Sequence, residues 1–264
     1  MVAIHHDNKT HKDEVDQLQS LEIRKLDSDA PMRWLSKGIE DFKTAPMLSI
    51  SYGLIYTVLG LLLIWLTYNN PLYTFGLVTI FYLAGPLIAV GLYCMSRRIE
   101  QGKTPRFAGS FEALRKNPNG IIGFSIIIGI LIVFWTVIAA ALTSVYFSGM
   151  IMRDSVYQTL INSDQLIPFL ISIFLVGLLF AIVSFMVSVI SIPLMTHRKV
   201  DVATAMITSV KSVKKNPAVM FKWAFSIVAL ISLGFATAFI GVAIALPIVG
   251  HASWHAYREL VIDE

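Results

Sequence analysis

The chain has 264 residues, is 56% hydrophobic and only 14% charged, and carries a formal net charge of +4. Globular domains carry about 25% charged residues, so this composition, with a mean hydropathy of +0.69, excludes a soluble fold and points to a polytopic membrane protein. A single cysteine, Cys94, excludes an internal disulfide and any Cys-x-x-Cys zinc or redox motif.

Residues 1–30 lack apolar periodicity until the Leu18–Leu26 region and are expected to form a disordered polar tail, in which His5, His6 and His11 are solvated. The first apolar run begins only at Met47, so no signal peptide precedes it and the first membrane helix is expected to act as its own insertion signal. Residues 31–264 are expected to form an all-α membrane domain with spans near 47–67, 72–95, 121–147, 166–193, 218–234 and 238–260. The last pair replaces one over-long apolar run, 219–249, by a hairpin with a tight turn around Gly234–Gly241. Residues 148–165 form the one long loop on the opposite side, with Val156, Tyr157, Leu160 and Ile161 toward lipid and Asp154 or Ser155 as a cap.

Charge sets the orientation. With six spans and the N-terminus inside, segments 1–46, 96–120, 197–222 and the C-terminal end hold 7, 6, 6 and 1 of the 21 Lys and Arg residues, and only Arg153 lies outside. Cytoplasmic loops concentrate Lys and Arg, so both termini are expected in the cytoplasm. These cations are topology signals, not a nucleic-acid surface.

Three segments share one order: Arg33–Tyr56, Phe111–Ile128 and Ala203–Ser226. Each reads as a short amphipathic helix, a basic patch, a proline (Pro46, Pro118, Pro217) and a membrane helix. Leu35, Ile39 and Phe42, then Phe111 and Leu114, then Met206, Val210 and Val213 fall at helical spacing. A proline ends the surface helix before it and fits the first turn of the next. Each unit also closes on a late proline (Pro86, Pro193, Pro247) before a charged exit. The fold expected is six transmembrane helices as three pseudo-repeated hairpins, each preceded by a cytoplasmic amphipathic helix.

The chemistry of the spans is sparse. No Asp, Glu, Lys or Arg sits in the middle of any span, whereas proton relays and ion-coupled transporters usually place one there. Thr136, Thr143, Ser184, Ser188 and Ser191 either line a neutral path or bond to backbone. No nucleophile elbow, His-Glu-x-x-His or phosphate-binding glycine loop is present, so no catalytic residue is assigned. The one ligand-like grouping is Cys94, His197, His251 and His255 at the cytoplasmic helix ends, with Met95 and Met195 beside them. Thiolate, thioether and imidazole suit copper or haem iron, and His251 and His255 share one helical face. Trp34, Trp254 and Tyr257, with Arg97, Arg98 and Arg258, read as residues of the lipid interface. Glu100 and Glu259 are placed to pair with these arginines across hairpins.

The motifs RWLSKGIEDFKTAPMLSISYGL, LAGPLIAVGLYCMSRRIEQG, SVISIPLMTHRKVDVATAMITSVKSVKKNPAVM and LPIVGHASWHAYREL resemble a bacterial family of inner-membrane proteins, domain-of-unknown-function family 2189, over about residues 31–262. Family members usually read Asp-Arg-Asp-Val-Asp where this chain has Thr196-His197-Arg198-Lys199-Val200-Asp201, so no family role passes to His197. The resemblance implies a six-helix protein of the bacterial inner membrane. Three readings follow: a non-enzymatic scaffold, assembly or lipid-interacting factor with the phospholipid bilayer and a membrane-protein partner; a channel or transporter along a neutral Ser/Thr path; or a copper or haem protein using the C-terminal histidines.

Overall fold

In a computed structural model the chain is described over residues 21–67, 71–107, 115–147 and 163–262. The expected loop at 148–162, the Phe111 and Leu114 stripe and residues 1–20 of the tail lie outside the described residues. The described helices are α1 (Ala30–Thr44), α2 (Pro46–Thr67), α3 (Pro71–Ile88), α4 (Val90–Glu100), α5 (Pro118–Phe147), α6 (Leu166–Ser188), α7 (Ser191–His197), α8 (Val202–Lys215), α9 (Pro217–Ala236) and α10 (Val242–Leu260). Among the described residues, five helical stretches are long and apolar enough to cross a membrane: Pro46–Thr67, Leu77–Glu100, Pro118–Phe147, Leu166–His197 and Pro217–Ala236. The sixth expected span falls on α10, which is helical but not among these five. Its second half carries His251, His255, Arg258 and Glu259.

Two of the expected continuous helices are broken, and each break is filled by a hydroxyl. Between α3 and α4, the Tyr52 hydroxyl of α2 donates to the Ile88 carbonyl at 2.5 Å and accepts from the Gly91 N–H at 3.3 Å. Between α6 and α7, the Ser209 hydroxyl of α8 accepts from the Ile190 N–H and donates to the Met186 carbonyl. Ser209 thus replaces the helical bond from residue 190 to residue 186. A proline lies near each break, Pro86 and Pro193. A proline lacks the N–H that would continue the ladder, and an inserted side chain accounts for the kink.

At the basic end of the bundle α10 is the central element. Its residues from Val249 to Ser253, with Trp254, Ala256 and Tyr257, are buried. It runs antiparallel to α1 and α2 at very short range. A Cβ on Gly38 would lie 2.7 Å from the Ala252 amide nitrogen, and one on Gly53 would overlap the Ala243 carbonyl. Both positions require glycine because backbone meets backbone there. Trp34 of α1 packs edge-on against Trp223 of α9, with ring centroids 5.5 Å apart.

The surface helices bury small and polar residues. α1 turns Ala30, Trp34, Gly38 and Asp41 inward, and α8 turns Thr204, Ala205, Thr208, Ser209 and Ser212 inward. The apolar stripes lie on the flank, where Ile39 is 38% exposed and Leu35, Phe42, Met206, Val210 and Val213 are half-buried. The α8 hydroxyls cost little to bury, because Thr208 and Ser212 donate to carbonyls one turn back.

The polar tail is shorter than the sequence implies. Residues 21–29 run along the basic end and are held there. Ile23 bridges Val261 in antiparallel fashion, and the Arg24 N–H donates to the Leu260 carbonyl. Asn216 accepts from the Leu26 N–H and donates to the Arg24 carbonyl. Ile23 is buried in the core with Leu21 and Leu26 packed against it, so backbone pairing and apolar side chains together fix this stretch.

Candidate functional site

The candidate site is the polar network at the basic end, assembled around α10. One helical turn separates its two histidines, and each reaches a different helix. His251 is fully buried; its Nε2 lies 3.0 Å from Ser49 Oγ of α2 and its Nδ1 lies 2.7 Å from Ser96 Oγ of α4. A neutral imidazole donates at one nitrogen and accepts at the other, and a serine hydroxyl can do either, so both contacts are satisfied together. His255 Nε2 lies 2.8 Å from Asp41 Oδ2 of α1, with both side chains largely buried.

Further out, Glu259 accepts from Arg33 at 2.6 Å and from the Trp34 indole N–H at 2.7 Å. Glu100 of α4 accepts from the Trp254 indole and from Arg258, each at 3.0 Å. The Glu100–Arg258 pair joins two members of the cluster expected from the sequence, whereas Glu259 pairs with Arg33, which lies outside it. His197 of α7 bonds the Tyr257 hydroxyl at 2.8 Å, and Arg97 donates to the Thr196 carbonyl at 3.1 Å. Arg98 donates to the Thr104 carbonyl. Every polar side chain of α10 therefore has a protein partner, and those partners come from α1, α2, α4 and α7, with Ser253 bonded back to the Val249 carbonyl.

Charges on the rim are also matched. The Arg33 guanidinium beside Asp27 holds that carboxyl below the usual carboxylate range, and the hydrogen bonds that Arg33 donates to Asp27 and Glu259 raise its own pKa. At the start of α8, burial works to raise Asp201, but hydrogen bonds from the Thr204 side chain and the Thr204 N–H outweigh it and lower its pKa. Asp201 is thus the cap of that helix.

The structure changes the meaning of several residues singled out in the sequence. Trp34 and Trp254 are fully buried and Tyr257 is 1% exposed, so their rings face the protein interior and not lipid. The lipid-interface reading of these three is corrected: the indole N–H groups and the phenol find acceptors inside the network. Cys94 is buried on α4. Cys94, His197, His251 and His255 are not gathered as one ligand set; among the described residues no group of three or more His, Cys, Asp or Glu is placed to share an ion. Sequence reasoning missed Asp41, Ser49, Ser96 and Asn216. Asn216 carries a retrospective signal, since it stands directly before Pro217 at the end of a surface helix, and Asp41 lies on the buried face of α1, five residues before Pro46. Ser49 and Ser96 carry none.

Comparison with known proteins bears on the same region. A family described as predicted integral membrane protein (DUF2189) matches residues 72–197. The match covers 126 of the 264 residues. No curated protein and no solved structure matches the chain. The matched stretch runs from α3 to the end of α7, so it includes Ser96, Glu100 and His197 of the network. α1, α2 and α10, which supply the rest, flank it in sequence.

Proposed function

We propose that this integral membrane protein is a non-enzymatic scaffold or assembly factor of the bacterial inner membrane, with its basic end in the cytoplasm as the working face. One observation carries the reading. Polar groups at the basic end tie helices to each other, while the opposite half is packed with aromatic and aliphatic side chains such as Phe81, Phe235 and Phe239. A small cleft there is lined by Gly60, Leu63, Leu77 and Phe81.

The proposed architecture is six helices in three hairpins. Several regularities support it. Three and six residues after the entry prolines stand Ser49 and Tyr52, Ile121 and Phe124, and Met220 and Trp223, all buried. Asn117 and Asn216, each just before an entry proline, clamp the backbone of an extended segment that leads into another surface helix: Val200 before α8, and Arg24 and Leu26 before α1. α10 accompanies α2 as far as Gly53, which meets Ala243, and the turn leading into α10 reaches Gly60 through Phe239. At about 1.5 Å per residue, that contact lies roughly 20 Å along α2 from Pro46, well inside the first span. The 20-to-1 division of Lys and Arg supports cytoplasmic termini.

Capture of the full-length protein in mild detergent, followed by mass spectrometry, tests the scaffold reading; a stoichiometric membrane-protein partner is expected. Flux of a small solute into proteoliposomes above the empty-liposome rate, with no partner captured, replaces the scaffold by the channel or transporter. Copper or a haem absorbance that disappears in His251→Ala/His255→Ala replaces it by the metal reading.

A further inference from the structure

We propose that Asp41, His255 and His251 form a proton-binding site: with one proton it locks α1, α2, α4 and α10 together, and a second proton loosens them. The geometry defines the charge count. The Asp41 carboxylate lies 2.8 Å from His255 Nε2 in a largely buried pair, so one proton on His255 gives a neutral ion pair. His251 sits one turn deeper, fully buried between Ser49 and Ser96. Neither serine carries charge.

The groups packed around the site leave a second proton without a counter-charge. From α1, Asp41 already serves His255, and Arg33 is held by Asp27 and Glu259. From α2, Tyr52 is engaged at the α3–α4 break. From α4, Glu100 is engaged by Trp254 and Arg258. From α7, His197 bonds Tyr257. From α9, Lys222 reaches the Ser28 carbonyl. Asp41 and His255 are the charged groups whose fields reach His251.

Adding a proton to His251 turns both of its nitrogens into donors. The serine that had been donating to the ring must turn its own proton to another acceptor. The site then holds one net positive charge with no free carboxylate, and a buried unpaired charge is strongly destabilising. The bonds strained first are those to Ser49 and Ser96, which join α10 to α2 and α4.

The test is thermal unfolding of the full chain in lipid nanodiscs between pH 8 and pH 5, a window in which histidines titrate and ordinary carboxylates do not. The wild-type protein is expected to lose thermal stability in a step as pH falls. His251→Gln keeps a hydrogen-bonding side chain that cannot take up a proton, and is expected to abolish the step. Asp41→Asn removes the negative charge that draws protons to the two histidines, and is expected to move the step to lower pH by about one unit. His197→Gln is expected to keep the wild-type step. A flat wild-type profile, an unchanged step in His251→Gln, loss of the step in His197→Gln, or an unmoved midpoint in Asp41→Asn each overturns the proposal. If His251→Gln does not fold, the Asp41→Asn midpoint decides.

Discussion

Around α10, side chains are buried on every face and each polar group meets a partner on another helix or on its own previous turn. In the α5–α6 pair many side chains point outward: Ile130, Val137, Phe174 and Leu179 are each more than half exposed. The contact between those two helices rests on pieces such as Trp135, which packs against Gly177 and Phe180. Outward apolar residues gain nothing from helix–helix contact in a bilayer, because lipid tails are as apolar as they are. Position there is set by close packing of a few residues. At the basic end it is set by polar contacts that accept one geometry only.

The largest expected contrast is between Trp254 and Phe174. Trp254→Ala empties a fully buried site and strips Glu100 of a donor, and is expected to cost about 3–5 kcal/mol. Phe174→Ala, on a residue 66% exposed, is expected to leave thermal stability in nanodiscs unchanged. Equal losses in the two would erase the distinction between the regions.

Glycine substitutions sharpen the same contrast. Gly53→Ala drives a methyl into the Ala243 backbone, and is expected to cost about 1–3 kcal/mol. Gly129→Ala meets nothing within 4 Å and is expected to be neutral or slightly stabilising. Size-exclusion profiles and melting temperatures of the two variants, prepared side by side, measure this.

Glu259→Ala leaves Arg33 and the Trp34 indole without their shared acceptor. About 1–3 kcal/mol is the expected cost, with α1 becoming more accessible to protease at Arg33 or Lys37. No change in cleavage would mean that α1 is held by packing against α10 and not by this carboxylate.

The smallest expected effect concerns Asp201. Asp201→Ala removes the α8 cap, and is expected to cost about 1 kcal/mol at neutral pH. The sign of its pH dependence follows from the lowered pKa. The carboxylate stabilises the fold above the ordinary carboxylate range, and this contribution is lost as pH falls through the lowered value. The melting-temperature gap between wild type and Asp201→Ala should therefore be full at pH 7 and should close in acid. A gap that persists in acid assigns the effect to packing.

Much of the helix plan was legible because prolines and charge mark boundaries locally. Pro46, Pro118 and Pro217 each open a helix in the structure, as their fixed φ and missing N–H allow. The breaks after Ile88 and Ser188 were not legible, since they depend on hydroxyls arriving from Tyr52 and Ser209, 36 and 21 residues from those points. The two C-terminal histidines stood out in the sequence, but as a pair sharing one face. Their partners lie more than 150 residues away in Asp41, Ser49 and Ser96, and no local pattern announces a serine that will meet an imidazole.

Composition and the division of Lys and Arg determined by themselves that the chain spans a bilayer and which end is basic, because transfer of apolar and charged groups between water and lipid depends on the residue and not on its neighbours. The tertiary structure alone decided that Trp34, Trp254 and Tyr257 face inward, that residues 21–29 are pinned to the C-terminus, and that His251 sits between two serines. Hydrogen bonds are short and directional, so which polar group meets which is fixed only when distant helices have packed.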